Sequence, residues 1–223
     1  MSERFRGSEM TNSLIETHQN GATLHVTINR PEKANALTRQ MLLDLRDVFS
    51  AAAKDRDLRA VVVSGAGGRV FCAGADLSSL SDDDDGPDPW AVMAEALNAI
   101  PVLTIAAING PCMGGGLTLA LDCDVRSGVP AARFSYPVLK NNVVPGQYDI
   151  DRLAALIGPG RAAAILLGGT TVQADEAVAW GLIDRLVEAD ALQRVCAEVA
   201  RPAASASYEH LAALKSMLGK VAR

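Results

Sequence analysis

Along residues 22–29 apolar side chains at Leu24, Val26 and Ile28 alternate with polar or small ones, which predicts a strand over Ala22–Asn29 closed by Arg30-Pro31. The period then lengthens. Met41, Leu42, Leu45, Val48 and Phe49 fall on one side of a helix running to about Ala53, with Thr38 placed to cap it. Two segments, Ala60–Ser64 and Val102–Ile108, are apolar without alternation, the pattern of strands buried on both faces. Asp88-Pro89 opens another helix, with a cap and a proline in its first turn. After Val102–Ile108 come a turn at Asn109–Pro111, a glycine triplet at Gly114–Gly116 and a helix to about Leu121. Asp124–Arg126 and Arg133–Ser135 are short strand candidates. From Asp149 onward the pattern is mostly helical, over Asp149–Ile157, Arg161–Leu167, Ala174–Trp180, Ala191–Ala200 and Ser207–Val221, with Gly158, Gly168 and Gly181 as stops and Ile183–Val187 extended. Strand–helix units followed by a helical end predict an α/β fold.

The chain has 223 residues, 49% of them hydrophobic, enough for one sizeable core. A net charge of −5 argues against a nucleic-acid partner, which would need a basic stripe. Cys72, Cys112, Cys123 and Cys196 form no paired spacing, which fits reduced thiols in a cytoplasmic protein. Met1–Asn12 is polar with no signal core, and residues 1–13 are expected to be disordered. No apolar run is long enough to span a bilayer. The acidic run Asp82–Asp85 reads as a solvated loop tip rather than a metal site, because adjacent carboxylates repel and no ligand pattern is visible.

Two glycine-rich turns carry candidate chemistry: Phe71-Cys72-Ala73-Gly74-Ala75-Asp76-Leu77 and Asn109-Gly110-Pro111-Cys112-Met113-Gly114-Gly115-Gly116-Leu117. Each follows a buried strand and would open a helix, whose first N–H groups lack partners. Side by side, the turns could aim two backbone donors at one oxygen, an oxyanion hole built without side chains. The alternative is close packing for steric reasons alone. Neither segment is a dinucleotide or phosphate-loop motif.

These segments, with Asn29-Arg30-Pro31-Glu32-Lys33-Ala34-Asn35-Ala36-Leu37 before them and Asp122-Cys123-Asp124, Phe134–Pro137, Arg152–Gly160 and Trp180-Gly181-Leu182-Ile183 after them, resemble the enoyl-CoA hydratase/isomerase (crotonase) family from about Leu14 to Met217. The resemblance implies a spiral of ββα units over 14–188 with a helical C-terminal region over 189–223. It implies an acyl-CoA or enoyl-CoA ligand in fatty-acid metabolism, lyase or isomerase chemistry, no cofactor beyond the coenzyme A of that thioester, no metal, and a homotrimer or dimer of trimers. The thioester oxygen would accept from the backbone N–H groups of Ala73 and Gly115. Coenzyme A would lie along Lys33, Ala34 and Ala36 and along Ala73, Ala75, Asp76 and Leu77.

The sequence departs from the family at its chemistry. The family's two catalytic glutamate positions are Thr118 and Val138, and neither side chain serves as an acid or base near neutral pH. Ordinary two-glutamate hydration is therefore not expected. Asp149 is the best replacement, with Tyr148 and Tyr136 behind it and a water held by Thr118 as a further route. The competing and preferred reading of Asp149 is a helix N-cap, with Asp151 in the first turn and Tyr136 packing in the core. Cys72 and Cys112 read as packing residues, and His18, His25 and His210 lie outside every motif. The chain stops earlier than typical relatives, which lowers the expectation of a trimer. Weak or altered hydratase activity, or an acyl-CoA carrier or sensor without turnover, are the leading functions, with a structural homologue that binds no ligand behind them because the coenzyme A-side motifs are intact.

Overall fold

The computed structural model describes residues 13–79 and 87–221; the N-terminal segment before Ser13 and the acidic run Asp82–Asp85 lie outside them. In chain order the elements are β1 (Ile15–Asn20), β2 (Thr23–Ile28), α1 (Arg39–Lys54), β3 (Ala60–Gly65), α2 (Pro89–Asn98), β4 (Leu103–Ile108), β5 (Cys112–Met113), α3 (Gly115–Leu121), β6 (Val125–Gly128), β7 (Arg133–Ser135), α4 (Val138–Asn141), α5 (Gln147–Ile157), α6 (Pro159–Leu166), β8 (Val172–Gln173), α7 (Ala174–Trp180), β9 (Arg185–Leu186), α8 (Leu192–Ala204) and α9 (Tyr208–Val221).

The larger sheet has the order β1-β2-β3-β4-β6-β9, and the smaller β5-β7-β8. In the larger sheet β1 and β2 pair antiparallel, while β2–β3, β3–β4, β4–β6 and β6–β9 are parallel. Helical crossovers enforce the parallel pairing and cover one side of the sheet, and α8, after the last strand, covers the other. The uninterrupted apolar runs follow directly. Val61 and Val63 of β3 face one core cluster with α1, while Ala60 and Val62 face a second with Leu192, Cys196 and Ala200 of α8. In the smaller layer Cys112 pairs with Phe134, and Cys72 forms an isolated bridge to Cys112. The chain therefore returns to this layer after each long strand, which is the expected ββα spiral.

Both predicted caps form. The Thr38 hydroxyl accepts from the Met41 N–H at 3.2 Å, and the Asp88 carboxylate accepts from the Trp90 N–H at 3.0 Å. The expected cap at Asp149 does not. Helix α5 begins at Gln147 behind Gly146, so Asp149 is its third residue and Asp151 falls in the second turn, where it accepts from Gln147. The C-terminal α9 is held by Lys215, whose ammonium donates to Asp124 at 2.7 Å and to the Val102 carbonyl at 2.9 Å. Among the described residues no helix is long and apolar enough to cross a membrane.

Candidate functional site

The segment after β2 and the first glycine turn lie side by side because Asn35 fastens them. Fully buried and at φ 56, Asn35 accepts from the Arg30 N–H and donates to the carbonyls of Ala66 and Val70 at 3.1 and 2.8 Å. Asparagine tolerates this left-handed conformation better than most residues. Arg30 also reaches Asp76 at 2.7 Å. The Ser78 hydroxyl and then the Arg30 guanidinium hold the Asp76 carboxyl down at about 2. Lys33, Ala34, Ala36, Ala73, Ala75, Asp76 and Leu77 are thus brought into one region, but the Asp76 side chain is committed within the protein.

The backbone pairing decides which amides are free. The Ala73 N–H donates to the Ala34 carbonyl at 3.1 Å, so Ala73 cannot be the oxyanion donor expected from the sequence. Leu37 forms an isolated parallel bridge with Ala75: the Leu37 N–H donates to Gly74 at 2.8 Å, and the Asp76 N–H donates to Leu37 at 2.9 Å. In that pattern the residues flanking Ala75 bond to Leu37, and the N–H of Ala75 itself points away from it. The Ala75 and Gly115 N–H groups find no acceptor among the described residues. Gly74, at φ +97, lets the two turns meet: a Cβ there would stand 2.9 Å from the Met113 carbonyl and 3.1 Å from the Gly115 nitrogen.

One helical turn beyond Gly115, the Thr118 hydroxyl lies 2.9 Å from the Tyr136 hydroxyl, and each is 3.3 Å from Oδ2 of Asp149. Both hydroxyls can donate to the Asp149 carboxylate, which is acceptor-only when ionised. Burial pushes the Asp149 carboxyl up, against the pull of bonds from Thr118 and Tyr136, and burial also pushes the Tyr136 phenol up. Asp149 therefore faces inward as part of a hydroxyl–carboxyl cluster. Val138, at the start of α4, forms an apolar wall beside it.

These groups line one open cavity of about 1630 Å³ between α2, α3 and α5. Ala73, Ala75 and Leu77 border it, and it extends to Asn98, Tyr148, Arg152 and Lys215. Trp90 was not singled out by the sequence. Its indole packs against Gly115, where an added Cβ would come within 1.9 Å of Cη2. The one available signal was a large aromatic at the first turn of a helix following a glycine-rich turn. Among the described residues no His, Cys, Asp and Glu group is arranged to hold a metal.

The chain's relatives share this frame. The family description "Enoyl-CoA hydratase/isomerase" matches residues 18–223. The chain belongs to the enoyl-CoA hydratase/isomerase family. A probable enoyl-CoA hydratase, echA6, of Mycobacterium bovis is 38% identical over 188 residues, covering 84% of this chain and 76% of that protein. A carnitinyl-CoA dehydratase of Citrobacter koseri is 33% identical over 213 residues, covering 93% and 80%. Among solved structures, an enoyl-CoA hydratase/carnithine racemase from Magnetospirillum magneticum has a TM-score of 0.87 at 32% identity, covering 95% of this chain and 82% of its own. Pseudomonas aeruginosa DspI reaches 0.89 at 29% identity, covering 99% and 84%.

In this enoyl-CoA hydratase/isomerase family member the cysteines are buried free thiols. Burial pushes Cys72 and Cys123 up to about 12, which leaves them without thiolate for nucleophilic work near neutral pH. His18 and His25 face each other across β1 and β2, away from the cavity.

Proposed function

We propose that the protein binds an acyl-CoA thioester and catalyses a weak hydratase or isomerase reaction in which Asp149 moves the proton. The observation that carries this reading is the Thr118–Tyr136–Asp149 cluster one turn from a free Gly115 amide. The thioester oxygen accepts from the Ala75 and Gly115 N–H groups. Ala75 takes the place first assigned to Ala73, whose N–H is occupied by Ala34. Each such donor contributes about 2.7–4 kcal/mol as charge builds on the oxygen of an enolate. Asp149, made more basic by burial, takes a proton from the carbon beside the thioester, and the hydroxyls of Thr118 and Tyr136 steady the carboxyl. One carboxyl in reach favours proton transfer along the acyl chain over two-centre addition of water, so turnover of crotonyl-CoA is slow. Coenzyme A runs outward past Ala73–Leu77 and the Lys33–Ala36 segment. No cofactor beyond that of the ligand is required.

The test combines calorimetric binding of a saturated acyl-CoA with hydration and double-bond isomerisation assays on enoyl-CoAs of several lengths. Asp149→Asn should lower turnover by roughly 10²–10⁴-fold while thioester binding persists. Turnover as the base should rise with pH as Asp149 ionises. Because Thr118 and Val138 supply no proton-transfer group, a second reading stands beside the first: an acyl-CoA carrier or sensor. It predicts binding with no turnover at any chain length, and no change in Asp149→Asn.

A further inference from the structure

Beyond the Asp149 cluster, a second polar group that the proposed reaction does not use lies directly behind residues of the cavity wall. Asp122 closes α3 one turn after Thr118 and on the same side. Its side chain is 1% exposed. Oδ1 accepts from the Asn98 amide at 3.2 Å and lies 3.9 Å from Nε of Arg152, whose hydrogen bond goes to the Leu121 carbonyl. Oδ2 is buried with no partner among the described residues. An orphan carboxylate oxygen in such a place costs stability and calls for a ligand or a water. Asn98, Tyr148 and Arg152, which surround it, all line the cavity. The Tyr148 phenol interacts with both Asp122 and Asn98, and Tyr148 remains 49% exposed, free to turn aside.

We propose that Asp122, with Asn98 and Arg152 around it, is the hydrogen-bond acceptor of a distal subsite that selects acyl groups carrying a hydroxyl toward their far end. The inference rests on the acyl-CoA reading of the site. With the carbonyl held at Gly115, Asp122 lies seven residues further along the chain, roughly 10 Å by helical rise, the reach of a medium-length acyl group. A ligand hydroxyl that displaces the Tyr148 phenol donates to Asp122 and accepts from the Asn98 amide or the Arg152 guanidinium. Small residues on the facing side of α2, Ala91 and Ala94, leave room for the chain. A saturated chain ending there offers Asp122 no hydrogen to replace the phenol it would displace.

The experiment is calorimetry on the full chain with octanoyl-CoA and ω-hydroxyoctanoyl-CoA. Above about pH 8, where Asp122 is ionised, the hydroxylated ligand should bind about tenfold tighter or better, the worth of one hydrogen bond to a charged acceptor. In Asp122→Asn the ratio of the two affinities should fall toward one. In Tyr148→Phe, which removes the competing phenol, it should hold or grow, and this variant serves if the first does not fold. Equal affinities in the wild type, or a ratio unchanged in Asp122→Asn, overturn the subsite while leaving the thioester pocket standing. A Tyr148→Phe ratio near one does the same. Failure of both ligands to bind overturns the acyl-CoA reading itself, and this inference with it.

Discussion

Asn35 illustrates how a residue remote from the chemistry sets its geometry. One buried side chain satisfies the Arg30 N–H and two carbonyls, and in doing so fixes the backbone that occupies the Ala73 amide and turns the Ala75 amide outward. Asn35→Ala would leave those three groups without partners and place alanine at a left-handed φ. We expect it to lower stability by about 3 kcal/mol, read by urea unfolding, since unpaired buried groups cost about 1–3 kcal/mol each and relaxation recovers part of the loss. A loss under about 1 kcal/mol would mean that water replaces the side chain and that the turn does not depend on it. At the same scale lies the difference between Ala73 and Ala75. Both are small residues in one motif, and what separates them is a carbonyl supplied by a distant segment. No pattern in the motif itself records that acceptor.

At the scale of elements, Asp122 ties α3 to Asn98 on α2 and to Arg152 and Tyr148 on α5, with Asp149 of α5 adding like charge. Burial pushes its carboxyl up to about 7. The unfolded carboxyl titrates near 3.9, so between roughly pH 4 and 7 the folded chain holds a proton that the unfolded chain has released. Stability from this group must therefore fall as pH rises through that window, by as much as about 4 kcal/mol. The difference between wild type and Asp122→Asn, measured by urea unfolding across pH, should show that slope; a flat difference would mean the carboxyl is solvated. Elements of this kind were legible in the sequence to different degrees. Thr38 and Asp88 cap where the pattern placed them, because a cap is a local contact between near neighbours. The strand β1 was not predicted, since Ile15 is its one buried residue and an edge strand needs no alternation. Helix α4 was hidden by its four-residue length after Pro137. Asp149 looked like a cap because a helix follows it, but Gly146 starts α5 early enough to rotate Asp149 onto the cavity side. Only packing against Thr118 and Tyr136 reveals that.

At the scale of the whole molecule, burial leaves an uneven surface. Leu214, Met217 and Leu218 on α9 are 49%, 64% and 70% exposed, and their spacing puts them on one face of the helix. Val143 and Val144, between α4 and α5, are 46% and 91% exposed. Both groups border the cavity, where Leu218, Val143 and Val144 contribute to its wall. Apolar side chains clustered at the mouth of a ligand site, unlike the same number scattered singly, mark an interaction surface. Assembly of identical chains covers such a surface symmetrically, and a trimer is the assembly we expect here. Light scattering on the purified chain should then give three times the chain mass, and replacing Leu214 and Met217 by glutamate should shift it to the monomer. Because these residues stand beside the cavity, the same double variant should weaken acyl-CoA binding if a neighbouring chain completes the wall. A wild-type protein that stays monomeric across concentration, yet binds the thioester with full affinity, would show that the exposed α9 face serves the ligand directly and that each chain's cavity is sufficient alone.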